Sequence, residues 1–150
     1  MPSHSAFGPP DVEELGLAAS LEGLVSGWNG RSRGTPRFEI ALAGTLDRLP
    51  LAIGADLYRI AQEAITNAAK HAHATQVVLR LEMTETDVVL SVADDGPAQD
   101  EAARPGMGLL GMRERVAILG GRLSVASGVS GTVLRATIPV ATESRAECAA

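Results

Sequence analysis

Three short stretches of this chain carry side chains able to hold a charged ligand. The first is one side of a helical segment. On a 3.6-residue period Glu63, Asn67 and Lys70 fall within an arc of about 60°, with His71 beside it. Leu57, Ala61, Ala64, Ile65 and Ala68 occupy the opposite arc. A solvated polar stripe is the ordinary meaning of such a face, yet Asn is a poor residue for an exposed mid-helix position. A carboxamide oxygen between a carboxylate and an ammonium suits a metal–phosphate complex, because magnesium keeps most of its waters and takes phosphate oxygens. The second stretch is Asp94-Asp95-Gly96, which ends a predicted strand. Val88, Leu90, Val92 and Asp94 share one parity, so Asp94 points to the face of the large apolar side chains and needs a partner there. Asp95 takes the other parity and stays in water. A strand-ending Asp-Gly turn and a buried acceptor for a ligand's amino group both fit this pattern.

The third stretch is Gly106-Met107-Gly108-Leu109-Leu110-Gly111, which spells the G-x-G-x-x-G of dinucleotide sites. That fingerprint requires a strand immediately before it and an acidic residue about 20 positions on. A breaker-rich loop precedes it here, and no Asp or Glu occurs between Glu114 and Glu143. What survives is a glycine-rich approach to a helix N-terminus, where free N–H groups and the helix dipole favour phosphate. Arg113 and Arg115 follow in the next turns, where helical arginines are usually surface charge. His71 and His73 are two residues apart near a helix end and so face different directions, which disfavours a metal pair. No Ser-His-Asp or Cys-His arrangement suggests itself. Cys148 is the sole cysteine, which excludes a disulfide framework and a Cys-based zinc site.

The elements that must position these residues are legible in outline. Asp11 follows two prolines and can cap a helix over Val12–Asn29, where Leu17, Leu21, Leu24, Val25 and Trp28 form an apolar stripe. That stripe covers this domain's own core or docks an upstream segment. Gly30–Pro36 reads as a turn and Arg37–Ala43 as a strand. Pro50, in a first-turn place, opens a long helix to about His73. Strands follow at Val77–Met83 and Val88–Asp94, then a loop over Asp95–Pro105 and a helix over Gly108–Leu119 stopped by Gly120-Gly121. Arg122–Ser127 and Thr132–Ile138 make a final hairpin, and Ala141–Ala150 is a frayed tail. Helices among largely antiparallel strands predict an α/β two-layer sandwich, a mixed sheet covered on one face by helices.

Composition narrows the class further. The chain has 150 residues, 45% of them hydrophobic and only 3% aromatic, so its core is aliphatic. Scarce aromatics argue against a base-stacking single-strand binder, and a net charge of -5 against a surface that coats nucleic acid. No apolar run reaches about 18 residues, and the start lacks the pattern of a signal peptide. A cytoplasmic domain with no nucleic-acid partner and no direct membrane contact is expected.

Taken together, the three stretches resemble the catalytic and ATP-binding domain of sensor histidine kinases, whose Bergerat fold is shared with gyrase-, Hsp90- and MutL-type ATPases. Leu57–Ala72 resembles the family's N-box, Val92–Gly96 its first glycine box, and Gly106–Val116 its second. The wording of the second box resembles the subfamily paired with LuxR-type response regulators, and Asp11–Trp28 resembles the linker from the dimerisation helices. The implied organisation is a tail or expression remnant at 1–10, that linker helix at 11–35, the ATP-binding domain at 36–140 with a lid at about 95–107, and a tail at 141–150.

The resemblance implies ATP and Mg2+ as ligands, with Asn67 on the metal, Glu63 on a metal-bound water or as a base, and Lys70 and His71 near the phosphates. It implies Asp94 as acceptor for the adenine amine, Thr132 as its support through water, and Gly96 as the point where the backbone passes the base. Gly106 and Gly108 would flank the lid, and Leu109 and Met112 belong to the same nucleotide-binding box. Pro97 and Ala98 stand in the last two places of the first glycine box, where the pattern ends in Gly, so the lid hinge differs. The three histidines begin no long helical stretch, so the phosphoacceptor histidine is expected on a separate dimerisation domain of the same kinase, with a response regulator downstream. An anti-sigma-type serine kinase or ATPase of the same superfamily, and a degenerate non-catalytic ATP-binding module, are the alternatives.

Overall fold

Among the residues described by the computed structural model, 16–44, 49–71, 73–96 and 109–140, three helices alternate with five strands. In chain order these are α1 (Leu17–Ser32), β1 (Arg37–Ala43), α2 (Leu51–His71), β2 (Gln76–Met83), β3 (Asp87–Asp94), α3 (Leu109–Ile118), β4 (Arg122–Gly128) and β5 (Gly131–Pro139). The strands form one sheet in the order β1-β2-β3-β5-β4, with β1 parallel to β2 and the other pairs antiparallel. Helix α1 packs on β1, α2 on β2 and β3, and α3 on β4 and β5. This is the mixed two-layer sandwich that the sequence predicts.

Strand parity decides which face the helices cover. Val77, Leu79 and Leu81 of β2, Val88, Leu90 and Val92 of β3, and Leu134, Ala136 and Ile138 of β5 are all buried. The pairing register lines them up across the strands. One transverse row is Ile40, Leu79, Val92, Leu134 and Val125; the next is Leu42, Leu81, Leu90, Ala136 and Leu123. Over these rows α2 lays Leu57, Tyr58, Ile60, Ala61, Ala64, Ile65 and Ala68, and α3 lays Met112 and Val116. The fully buried large side chains are Leu, Ile, Val and Met, the aliphatic core expected of a chain so poor in aromatics. Each contributes roughly 1.5–3 kcal/mol by leaving water.

Helix α1 differs from its expected bounds at both ends. It starts at Leu17, because Gly16 at φ 84° lies outside the helical region; Asp11 lies outside the described residues. Leu17, Leu21 and Val25 belong to the same core as the sheet. The helix then continues to Ser32, through the glycine read as the start of a turn, and closes on Arg33 in the left-handed region. The cause is tertiary. Asn29 donates from Nδ2 to the Phe38 carbonyl and accepts from the Phe38 N–H on Oδ1, both at 2.8 Å. It thereby takes the place of a neighbouring strand on the free edge of β1. Trp28 adds a ring contact with Phe38 at 5.6 Å, and Arg31 lies 4.3 Å from the Trp28 ring centroid. Such contacts outweigh the ~1 kcal/mol that a mid-helix Gly costs.

The other boundaries shift by a residue or two. The Pro50 carbonyl accepts the first α2 bond, from Gly54 at 3.1 Å, so Pro50 precedes the helix instead of sitting in its first turn. Helix α2 closes at His71, and His73 adopts φ 51°, beyond helical geometry. At the end of α3 the Gly121 N–H reaches the Val116 carbonyl and the Gly120 N–H the Ala117 carbonyl. With Gly120 at φ 82°, this is a Schellman stop. Gly131, at φ 141°, lies so close to β3 that an added Cβ would strike the Asp94 carbonyl, whereas a Cβ on Gly111 meets no atom of the described residues within 4 Å. Among the described residues no strand packs against Gly111, which removes the helix–strand packing reason for the third glycine of a dinucleotide fingerprint.

Two sets of variants check these assignments. Asn29→Ala should lower stability by about 1–3 kcal/mol through the two lost edge bonds, read as a lower urea midpoint at unchanged m-value. An unchanged midpoint would show that the clamp is idle. Gly111→Ala should raise stability by about 0.5–1 kcal/mol, while Gly131→Ala should lower the melting temperature; the opposite order would contradict the packing described.

Candidate functional site

The apolar face of the sheet changes character at one end. The last transverse row runs Phe38, Val77, Asp94, Thr132 and Ser127 across all five strands. Its first two members continue the core; its last three are polar and sit side by side on β3, β5 and β4. Thr132 is 8% exposed, and its hydroxyl donates to Ser127 Oγ at 3.3 Å. Asp94 is half-buried, on the same parity as Val88, Leu90 and Val92, and its Oδ1 accepts from the Gly96 N–H at 3.0 Å. That bond closes a turn of the Asx type, which fixes the carboxylate as the chain leaves the strand. Ser127 was not among the residues singled out from the sequence; only its register opposite Thr132 reveals it.

Connectivity brings the end of α2 and the start of α3 toward this end. Helix α2 closes at His71 and β2 opens at Gln76, a span of at most about 18 Å even fully extended. Since Val77 pairs with Asp94, the C-terminal end of α2, with Asn67 and Lys70, lies at the polar end of the sheet. Helix α3 is followed by a tight turn and then β4, on which it packs. Its ten residues rise about 15 Å, and β4 travels about 17 Å from Arg122 to Ser127. The N-terminal end of α3, at Leu109, is therefore level with the same row. Asn67 and Thr132, predicted from sequence 65 positions apart, thus lie toward the same end of one sheet.

On α2, Glu63 and Asn67 are half-buried and Lys70 is exposed, opposite the buried Leu57, Ala61, Ala64, Ile65 and Ala68. Leu109 is half-buried, while Met112 is fully buried in the core, where it seats α3. Gly96 is buried. Gly106 and Gly108, Pro97, Ala98 and the His71 side chain lie outside the described residues. Arg113 donates from Nη1 to the Leu123 carbonyl at 2.9 Å and so ties α3 to β4. Asp95, read from sequence as a water-facing bystander, is exposed but engaged. Its carboxylate accepts from the Thr75 N–H at 2.8 Å, the Gln76 N–H at 2.9 Å and the Thr75 hydroxyl. These bonds, the Thr75 hydroxyl first, hold its pKa below the usual carboxylate range.

Chemically, the row offers a carboxylate and hydroxyls at the edge of an apolar floor, which fits a flat heteroaromatic group bearing an amine. Among the described residues no group of three His, Cys, Asp or Glu side chains is placed to hold a metal ion. A divalent ion at this end would take most of its ligands from phosphate and water, with the Asn67 carboxamide as a neutral protein donor; the residues fit magnesium carried on a nucleotide. No described helix is long and apolar enough to cross a membrane.

Residues 53–142 match the family model described as histidine kinase-, DNA gyrase B- and HSP90-like ATPase. The chain is similar to the sensor histidine kinase MctS of Rhizobium johnstonii, with 33% identity over 136 residues, covering 87% of this chain and 29% of the relative. It is similar also to the signal transduction histidine-protein kinase/phosphatase DegS of Bacillus subtilis, with 32% identity over 154 residues, covering 88% and 36%. It thus spans about a third of the length of these curated relatives. Among solved structures, a blue-light activated histidine kinase of Erythrobacter litoralis matches with a TM-score of 0.67 at 27% identity, over 85% of this chain and 43% of that one. The ATP binding domain of PrrB from Mycobacterium tuberculosis shares the fold, with a TM-score of 0.56 at 22% identity, over 81% and 93%. Since the matched segment runs from α2 past the end of β5 and takes in every polar residue of the end row, the chain belongs to the family of histidine kinase-, DNA gyrase B- and HSP90-like ATPases and has the Bergerat fold.

Proposed function

We propose that this chain is the ATP-binding catalytic domain of a sensor histidine kinase, which binds Mg-ATP and presents the γ-phosphate to a histidine on a separate dimerisation domain. The observation that carries the reading is the polar triplet Asp94, Thr132 and Ser127 at the end of an otherwise apolar face, the end of the sheet toward which α2 closes and α3 opens. In this reading adenine lies over the end row. Asp94 accepts from its exocyclic amine, Thr132 supports that contact through water, and Gly96 lets the backbone pass close to the base. The triphosphate extends between α2 and α3, toward Lys70 and His71 on one side and the helix N-terminus at Leu109 on the other, with Gly106 and Gly108 flanking the lid. Asn67 would hold the magnesium, and Glu63 would hold a water of that ion or assist as a base. The ion, when bound, neutralises phosphate charge. The protein's part in transfer is positioning and electrostatic stabilisation, the usual division in phosphoryl transfer.

The preference for adenine follows from charge. Guanine presents a carbonyl where adenine presents an amine, and a half-buried carboxylate repels it. Helix α1 then corresponds to the linker from the dimerisation helices, this domain of the parent kinase works in the cytoplasm, and the phosphohistidine serves a response regulator of the LuxR-type output class. The relatives named as histidine kinases support the kinase reading.

Asp94→Ala should weaken ATP binding by roughly 10- to 150-fold, the worth of a hydrogen bond to a charged group, with the circular dichroism spectrum unchanged. Calorimetric titration giving the wild-type affinity would remove Asp94 from the site. Asn67→Ala should reduce the affinity in magnesium to the level that wild type shows in excess EDTA; a preserved magnesium dependence would contradict the metal assignment. Transfer of labelled phosphate to an added dimerisation fragment bearing a histidine separates kinase from ATPase. Absence of binding at millimolar ATP would favour a non-catalytic module.

A further inference from the structure

The ladder between β2 and β3 ends at the Val77–Asp94 pair. Beyond it the two chain segments are free to splay unless something else joins them, and Asp95 is what joins them. Its carboxylate gathers the Thr75 N–H, the Gln76 N–H and the Thr75 hydroxyl, and its own N–H donates to the Gln76 carbonyl at 3.3 Å. Side chain and backbone of one residue thus bracket the first residues of β2. The same residue lies between Asp94 and Gly96, whose N–H holds the Asp94 carboxylate at 3.0 Å. Thr75 is four residues beyond the end of α2, the helix that carries Asn67 and Lys70.

We propose that Asp95 is a positioning residue for base selection, which locks the Asp94–Gly96 turn to the segment leading out of α2 and so aims the Asp94 carboxylate. The inference rests on the reading of Asp94 as the adenine acceptor. Two features separate it from a purely structural role. Asp95 is exposed, and exposed bonds of this kind contribute little to global stability because water replaces them. They do fix the torsions of the residues on either side, and a carboxylate that must meet an amine within about 3 Å depends on those torsions. The lowered pKa of Asp95 agrees with an ionised acceptor that serves three donors. Because both ends of the bracket belong to different halves of the site, Asp95 also holds the base-reading turn and the phosphate-facing helix in one register.

The test compares ATP and GTP binding by calorimetry in wild type and in the Asp95→Ala, Asp95→Asn, Thr75→Val and Asp94→Ala variants, with melting curves alongside. Wild type should prefer ATP. Asp95→Ala should lose roughly tenfold in ATP affinity while GTP binding changes little, so that discrimination shrinks. Asp95→Asn keeps an oxygen for the two backbone donors and should stay within about threefold of wild type. Thr75→Val, which removes one donor and leaves Asp95 itself in place, should fall between them, and it stands in for Asp95→Ala should that variant fail to fold. If Asp94→Ala abolishes the preference for ATP and Asp95→Ala and Thr75→Val leave it at the wild-type level, the inference is overturned alone. An equal loss for both nucleotides in Asp95→Ala, in step with a lower melting temperature, also overturns it and marks a structural role. A wild type that does not prefer ATP would overturn the Asp94 reading and this inference with it.

Discussion

A carboxylate at the end of an apolar strand face is the constraint on which this structure turns. Val88, Leu90 and Val92 are buried under α2, and the next residue of the same parity is Asp94. A carboxylate one pair further in, at Val92, would lie under the helix, at a desolvation cost of several kcal/mol. The chain instead leaves the sheet at that residue. The Gly96 N–H holds the carboxylate, Gly131 brings β5 close against the Asp94 backbone, and Thr132 and Ser127 extend polarity to the next two strands. The end row is thus where the core stops and a polar rim begins.

The core explains why this rim can be held rigid. Three helices cover one face, and α1 shares the core through Leu17, Leu21 and Val25, so it is packed as part of the domain and not merely appended to it. Its far end clamps the edge of β1 through Asn29. That clamp meets the sheet at Phe38, which opens the same transverse row that Asp94, Thr132 and Ser127 complete. An acidic chain can still accommodate an anion at this end, since a lysine, a helix N-terminus and a phosphate-bound cation act locally while the net charge acts over the whole surface.

Most of this was legible in the sequence because it is periodic. Parity placed Asp94 on the apolar face, and a helical wheel separated Glu63, Asn67 and Lys70 from the buried arc of α2. The absent strand and acidic residue rejected a dinucleotide site, in keeping with the lack of any described strand packed on Gly111. What escaped depends on partners distant in the chain. The extension of α1 through Gly30 rests on Asn29 reaching Phe38, nine residues on. Asp95 looked idle because its donors, Thr75 and Gln76, lie 19–20 residues away across the sheet. Ser127 has no local signal and becomes notable only through its register with Thr132. Periodicity reports what an element buries, but not which loop a polar side chain will tie to another.

The proposed Mg-ATP site lies at one end of the sheet, toward which α2 closes and α3 opens. The most direct measurement is an amide-resolved NMR titration of the chain with a magnesium complex of a non-hydrolysable ATP analogue. Shifts should concentrate at Gly96, Thr132, Ser127, Asn67 and Leu109, with the Asn29–Phe38 clamp and the opposite end of β4 unmoved. Shifts confined to α1 and the edge of β1, or none at millimolar analogue, would contradict it.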